Sequence, residues 1–173
     1  MKTLKLKPNS NKPNNKTLPA FTIIEVVLVL AIAGLIFLMV FIALPALQRN
    51  QRDTQRKNDM SRVKTALDNY KSNNKNTLPE FASYKLASND SFAISYLKSD
   101  QGEFKDPDGS GYSIYNLNIG GQTSGWKPSD FNHVIHIGTG FKCNGETILL
   151  AGGTSNYVVL YRLEGGGVYC IDG

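Results

Sequence analysis

Glu25 is the only charged residue within positions 21–47. A carboxylate in so apolar a stretch must be answered by something, because at a bilayer centre it costs about 2.5 to 3.5 kcal/mol on insertion scales. Thr22 stands three residues earlier, the spacing of a capping box in which the acid reaches back to the Thr22 amide. Near the interface the carboxylate could instead snorkel to water at less cost. Cys143 and Cys170 are the two cysteines, and His133 and His136 the two histidines. They permit a disulfide or a zinc site. Zinc is disfavoured because no C-x-x-C occurs and histidines three apart on a strand point to opposite faces. The run Asp106, Pro107, Asp108, Gly109, Ser110, Gly111, Tyr112 offers oxygen ligands to Ca²⁺, but it lacks the spacing and final Glu of an EF-hand, so a type I turn is favoured. No P-loop, G-x-S-x-G or H-E-x-x-H occurs, and neither an enzyme nor a bound metal or cofactor is expected.

These residues sit on elements of very different character. Residues 26–47 carry no charge over 22 positions, which at the rise of an α-helix covers roughly 33 Å, about one hydrocarbon core. A membrane-spanning helix is expected there. It is too long for the apolar part of a secretory signal peptide, and polar Gln48, Arg49, Asn50 and Gln51 follow it instead of a cleavage site. The preceding residues 1–20 hold five Lys, no acid and three Pro, so they are not expected to fold alone. Beyond Leu47 neither Gly nor Pro occurs before Pro79, and one helix is expected to run from Phe21 to about Asn73. In its polar half, Met60, Val63, Leu67 and Tyr70 follow one another by three, four and three, a narrow apolar stripe suited to packing on the C-terminal domain. The charged residues between Arg49 and Lys75 read as a solvated face or as subunit-to-subunit salt bridges.

The remainder is punctuated by Gly, Asn and Pro. A short helix is expected over 91–98 and strands over 112–117, 133–137, 157–163 and 168–171, with Gly165, Gly166 and Gly167 forming a tight connection. The economical architecture is α+β, a roughly four-stranded antiparallel sheet packed on the stripe of the long helix.

The order Ala20, Phe21, Thr22, Ile23, Ile24, Glu25, Val26, Val27, Leu28, after a basic leader and before an apolar helix, strongly resembles the class III signal of type IV prepilins. The residue before the cut is usually Gly in that family and is Ala20 here; Ile23 stands where Leu is commoner. The resemblance implies cleavage between Ala20 and Phe21 by a membrane prepilin peptidase, with N-methylation of Phe21. It gives Glu25 a role in assembly, neutralising the new amino group of a neighbouring Phe21. It also implies the pilin fold, with residues 1–20 a removed leader, 21–47 a transmembrane and filament-core helix, 48–73 its amphipathic continuation, and 74–173 a globular region of loop, sheet and C-terminal disulfide. Gly34 and Pro45 resemble the Gly and Pro that flank a section of the family's helix able to melt in the filament, although Pro45 comes later than usual.

The implied partners are further copies of the chain in a helical homopolymer, the peptidase, an assembly ATPase and platform protein, and the membrane. The precursor would lie in a bacterial cell membrane, N-terminus inside, and the product in an extracellular filament for adhesion, twitching motility or DNA uptake. Outside the cell, Cys143 and Cys170 are expected to form one disulfide. The close rival is a type II secretion pseudopilin, whose major subunits contain related Asp-Pro turns; a monomeric membrane-anchored surface binding domain is the rival from another class. Trp126 beside Lys127 could contact a host surface, glycan or DNA, or belong to the core. The formal charge of +5 equals that of the five leader Lys, so residues 21–173 are formally neutral and the basic isoelectric point does not argue for nucleic-acid binding.

Overall fold

The computed structural model describes residues 20–80, 84–85, 91–118, 121–129 and 133–173. The expected leader, apart from Ala20, lies outside the described residues. The first helix, α1, runs over Ile23–Asn73 and contains Pro45. It continues through Gly34 and Pro45 although Pro has no amide to donate and Gly loosens the backbone. Tertiary contacts divide the chain at Phe41 and Ile42, so the two parts are described separately.

In the first part nearly every side chain is exposed, Phe21, Ile23, Leu28, Leu35 and Phe37 among them. This stretch is long and apolar enough to cross a membrane.

In the second part the polar half of α1 joins a mixed sheet. The elements after α1 are β1 (Tyr84–Lys85), α2 (Ser91–Leu97), a 3₁₀ turn at Ser99–Gln101, β2 (Ser113–Asn116), β3 (Val134–Thr139), β4 (Phe141–Asn144), β5 (Thr147–Leu150), β6 (Tyr157–Arg162) and β7 (Val168–Asp172). The main sheet has the order β1-β2-β3-β6-β7, and β4-β5 form a separate ladder. The fold is therefore α+β, as expected, but the sheet is not wholly antiparallel. β2 runs parallel to β3, with Ser113 opposite Val134 and Ile135 opposite Ile114. A parallel pair needs a crossover of a dozen or more residues, which the connection between Asn116 and Val134 supplies.

The stripe on α1 packs as its spacing requires. Met60, Val63, Ala66 and Leu67 are buried with Phe92, Leu97, Phe104, Tyr112, Ile135, Ile137 and Tyr161, and Tyr70 packs against them. Each Val, Leu, Ile, Phe or Met among them contributes about 1.5 to 3 kcal/mol by leaving water. On the other face of the sheet a second core joins Leu117, Phe141, Ile148, Val158, Leu160 and Val168. Here Gly138 has no room for a side chain: a Cβ would stand 2.8 Å from that of Leu117.

The β4-β5 hairpin was absent from the expected strands. Its two-residue loop, Gly145 and Glu146, follows Asn144, with Gly145 at φ 62°, a conformation only Gly adopts freely. Cys143 and Cys170 form the expected disulfide across 27 residues, tying β4 to β7. In the chain-entropy model a loop of that length contributes about 3.5 kcal/mol. The double variant Cys143→Ser, Cys170→Ser should be less stable by about this amount in denaturant titration. An unchanged midpoint would show that the bridge constrains little.

Candidate functional site

Ala20, Phe21 and Thr22 lead into α1, and Phe21 is 87% exposed. The Thr22 amide donates to Glu25 Oε2 at 2.9 Å, as does the Thr22 hydroxyl at 2.9 Å, and the Glu25 amide donates back to Thr22 Oγ1 at 3.4 Å. This is the reciprocal capping box. It answers two of the four orphan amides at a helix start. The carboxylate is thus satisfied locally and lies one turn from Phe21, at the edge of an exposed apolar surface. No positive group is needed to hold it in this conformation.

The sheet-packed half of α1 carries a second assembly of reactive groups, one the spacing of apolar residues did not announce. Arg56 is fully buried. Its Nε and Nη2 donate to Asp106 Oδ2 and Oδ1 at 2.8 and 2.7 Å, a two-point fit of guanidinium to carboxylate. Its Nη1 donates to Asp53 Oδ1 and to Glu164 Oε2, both at 3.0 Å. Arg52 holds Glu164 through Nε at 2.8 Å and Nη2 at 2.5 Å. Asp53 in turn accepts the backbone amides of Glu164 at 2.9 Å and Gly165 at 2.7 Å. A Cβ on Gly165 would stand 2.9 Å from Asp53 Oδ2, so a larger residue there would push the carboxylate off its bond to the Gly165 amide.

Tyrosines complete the assembly. Tyr161 donates to Asp106 Oδ2 at 2.9 Å and Tyr112 to the buried Asp59 Oδ2 at 2.9 Å. Burial pushes both phenols up, and the adjacent carboxylates push them further. Burial also raises Asp59, against its bonds to Tyr112 and Arg62. Burial alone would raise Asp106 too, but the Arg56 guanidinium, the Asp108 amide and Tyr161 outweigh it and hold the group at about 2. Glu164 is held at about 2 by Arg52 first and Arg56 second.

Part of the charge between Arg49 and Lys75 is therefore neither a solvated face nor free to bridge subunits. Asp53, Arg56 and Asp59 are buried inside the chain's own fold. The reason is geometric: the stripe at 60, 63 and 67, continued backwards by four and three, reaches 56 and then 53. Charged residues at stripe positions were the available signal. Exposed Lys57 keeps the solvated role.

The Asp-Pro turn has the form expected. Gly109 donates to Asp106 O at 2.8 Å, and Asp106 accepts the Asp108 amide on Oδ1 at 3.1 Å. His133 lies against it, with Nδ1 3.5 Å from Asp106 and Nε2 3.3 Å from Asp108. These three residues are close enough to share a cation. Yet Asp106 is already engaged by Arg56, and a divalent ion there would face the guanidinium across one carboxylate. The turn is a structural part of the Arg56 assembly. His136 stands elsewhere, buried on the second face between Tyr115 and Trp126, so the two histidines do not converge and Cys143 and Cys170 are bonded to each other. Trp126 packs against the second core, which favours the core reading over a ligand-binding one.

Comparison of the chain with protein-family models, with curated proteins and with solved structures found no match.

Proposed function

We propose that this chain is the precursor of a type IV pilin, a non-enzymatic subunit stored in a bacterial membrane and polymerised into an extracellular filament. The observation that carries the reading is the order Ala20, Phe21, Thr22, Ile23, Ile24, Glu25 directly before the exposed, uncharged run 26–47 of α1. The α+β domain on the polar half of that helix and the disulfide near its C-terminus support it. Cleavage after Ala20 removes the five leader Lys and frees the amino group of Phe21 for methylation. The apolar surface of residues 21–47 then passes from lipid to the helices of neighbouring copies.

Within that interior, Glu25 of one copy meets the Phe21 amino group of another. Such a pair fixes register more than it adds net stability, since desolvating both charges offsets much of their attraction. The helix is continuous through Gly34 and Pro45 in the isolated chain; melting between them, if it accompanies polymerisation, belongs to the filament.

Deleting the gene should remove thin surface filaments seen by electron microscopy, and restoring it should return them. Cells that keep their filaments contradict the proposal. The Asp106-Pro107 turn favours a secretion pseudopilin as the second reading. A neighbouring gene for a retraction ATPase supports the pilus, whereas neighbouring secretion components support the pseudopilus.

A further inference from the structure

We propose that the β4-β5 hairpin, together with the segment carrying Trp126, is an acid-releasable flap over the outer face of the main sheet, with His136 as its sensor. The inference is independent of the pilin reading. His136 is 7% exposed, in the middle of β3, and its Nδ1 has no hydrogen-bond partner. Its ring lies between those of Tyr115 at 5.5 Å and Trp126 at 5.2 Å, both edge-on. An imidazole in that setting is held as an apolar ring. A second proton would place an unanswered charge beneath the flap.

The flap is built to move as a piece. β4 and β5 pair with each other and not with the main sheet. The Trp126 segment pairs with β5, since Gly125 N donates to Ile148 O at 2.7 Å and Ile148 N to Trp126 O at 3.2 Å. What holds this layer to the sheet is the second core, through Phe141 and Ile148, and the Cys143–Cys170 bridge. Two polar contacts add to this hold on β7: the Cys143 amide donates to Asp172 Oδ2 at 3.0 Å, and Glu146 accepts the Val168 amide. The covalent bridge keeps a released flap attached to β7, so opening is local and reversible.

Around His136, β2 presents Tyr115 and β6 presents Leu160, its partner in register. On the flap, Lys127 and Glu146 pair with each other at 3.2 Å. Among the described residues no carboxylate bonds the imidazole to stabilise its charged form. Burial pushes its pKa down to about 4. With the flap open the ring returns to water and takes up its proton near the ordinary value of about 6.5. Below that value the open form binds a proton that the closed form refuses, so opening strengthens as pH falls from about 6.5 towards 4.

The test is hydrogen exchange of the full chain in detergent micelles at pH 7.5 and 4.5, corrected for intrinsic exchange rates. The opening equilibrium of amides in 141–150 should rise about 70-fold over that interval, while amides of β6 stay protected. In His136→Phe, which keeps an aromatic ring between Tyr115 and Trp126, the acid response should vanish. Equal protection of 141–150 at the two pH values overturns the proposal, as does the same acid response in His136→Phe. If that variant does not fold, the imidazole proton resonances of the unaltered chain decide: titration near 4 supports the switch, and titration near 6.5 overturns it.

Discussion

Arg56→Ala should destabilise the sheet-bearing part of the chain by about 3 to 5 kcal/mol, the usual penalty for removing one partner of a buried ion pair. The loss is large because the guanidinium answers three carboxylates at once, Asp53 one turn away on the same helix and Asp106 and Glu164 from segments far off in sequence. Without it Asp106, whose side chain is 0% exposed, keeps a charge cut off from water, with His133 Nδ1 the nearest other basic nitrogen at 3.5 Å. Tyr161 still donates to one oxygen, which does not replace a two-point guanidinium contact. Arg56→Lys should recover only part of the stability, since an ammonium cannot present the planar fork. The control is Arg62→Ala: Arg62 is half exposed, 3.5 Å from Asp59, and its loss should cost below about 1 kcal/mol. Urea titration of the full chain in detergent, followed by the fluorescence of Trp126, separates the two. Arg56→Ala and Arg62→Ala falling within about 0.5 kcal/mol of each other would contradict the weight placed on the buried cluster.

Glu25→Gln and Glu25→Ala should leave the protein in the membrane at normal levels and reduce surface filaments by about 100-fold or more. That magnitude follows if the Phe21 amino group is left buried without its partner, a penalty of several kcal/mol per ion at about 1.4 kcal/mol per tenfold. The two substitutions divide the roles the carboxylate can play. Gln at this position still accepts from Thr22 and keeps the capping box; Ala removes the half of the box that answers the Thr22 amide and hydroxyl, leaving Thr22 Oγ1 to accept the amide of residue 25. Loss of filaments in both assigns the effect to charge. Filaments kept by Gln and lost by Ala assign it to the cap alone, and normal filaments in both remove the assembly role.

The parts of this molecule that were legible in its sequence are those whose signal is local. Met60, Val63, Leu67 and Tyr70 announce a buried helix face by spacing alone, and the short helix α2 falls where a brief apolar segment stands between turn residues. Thr22 and Glu25 spell the cap they form. The cysteine pair was legible from count and expected compartment. What was hidden depends on partners far away in sequence: Asp106 is 50 residues from Arg56 and Glu164 is 108. A charged residue at a stripe position looks like surface until the fold brings the opposite charges to it. The parallel pairing of β2 with β3 was hidden for a related reason, because register across a long connection leaves no mark in either strand. The β4-β5 hairpin did leave one, in Gly145-Glu146 set before the apolar Ile148, Leu149 and Leu150, since a two-residue loop can take Gly at its first position.

The most direct measurement is the mass of the N-terminal peptide of protein sheared from the cell surface. The account predicts a chain that starts at Phe21 and carries one methyl group on its amino nitrogen, with residues 1–20 gone. A surface protein that still begins at Met1 would contradict it.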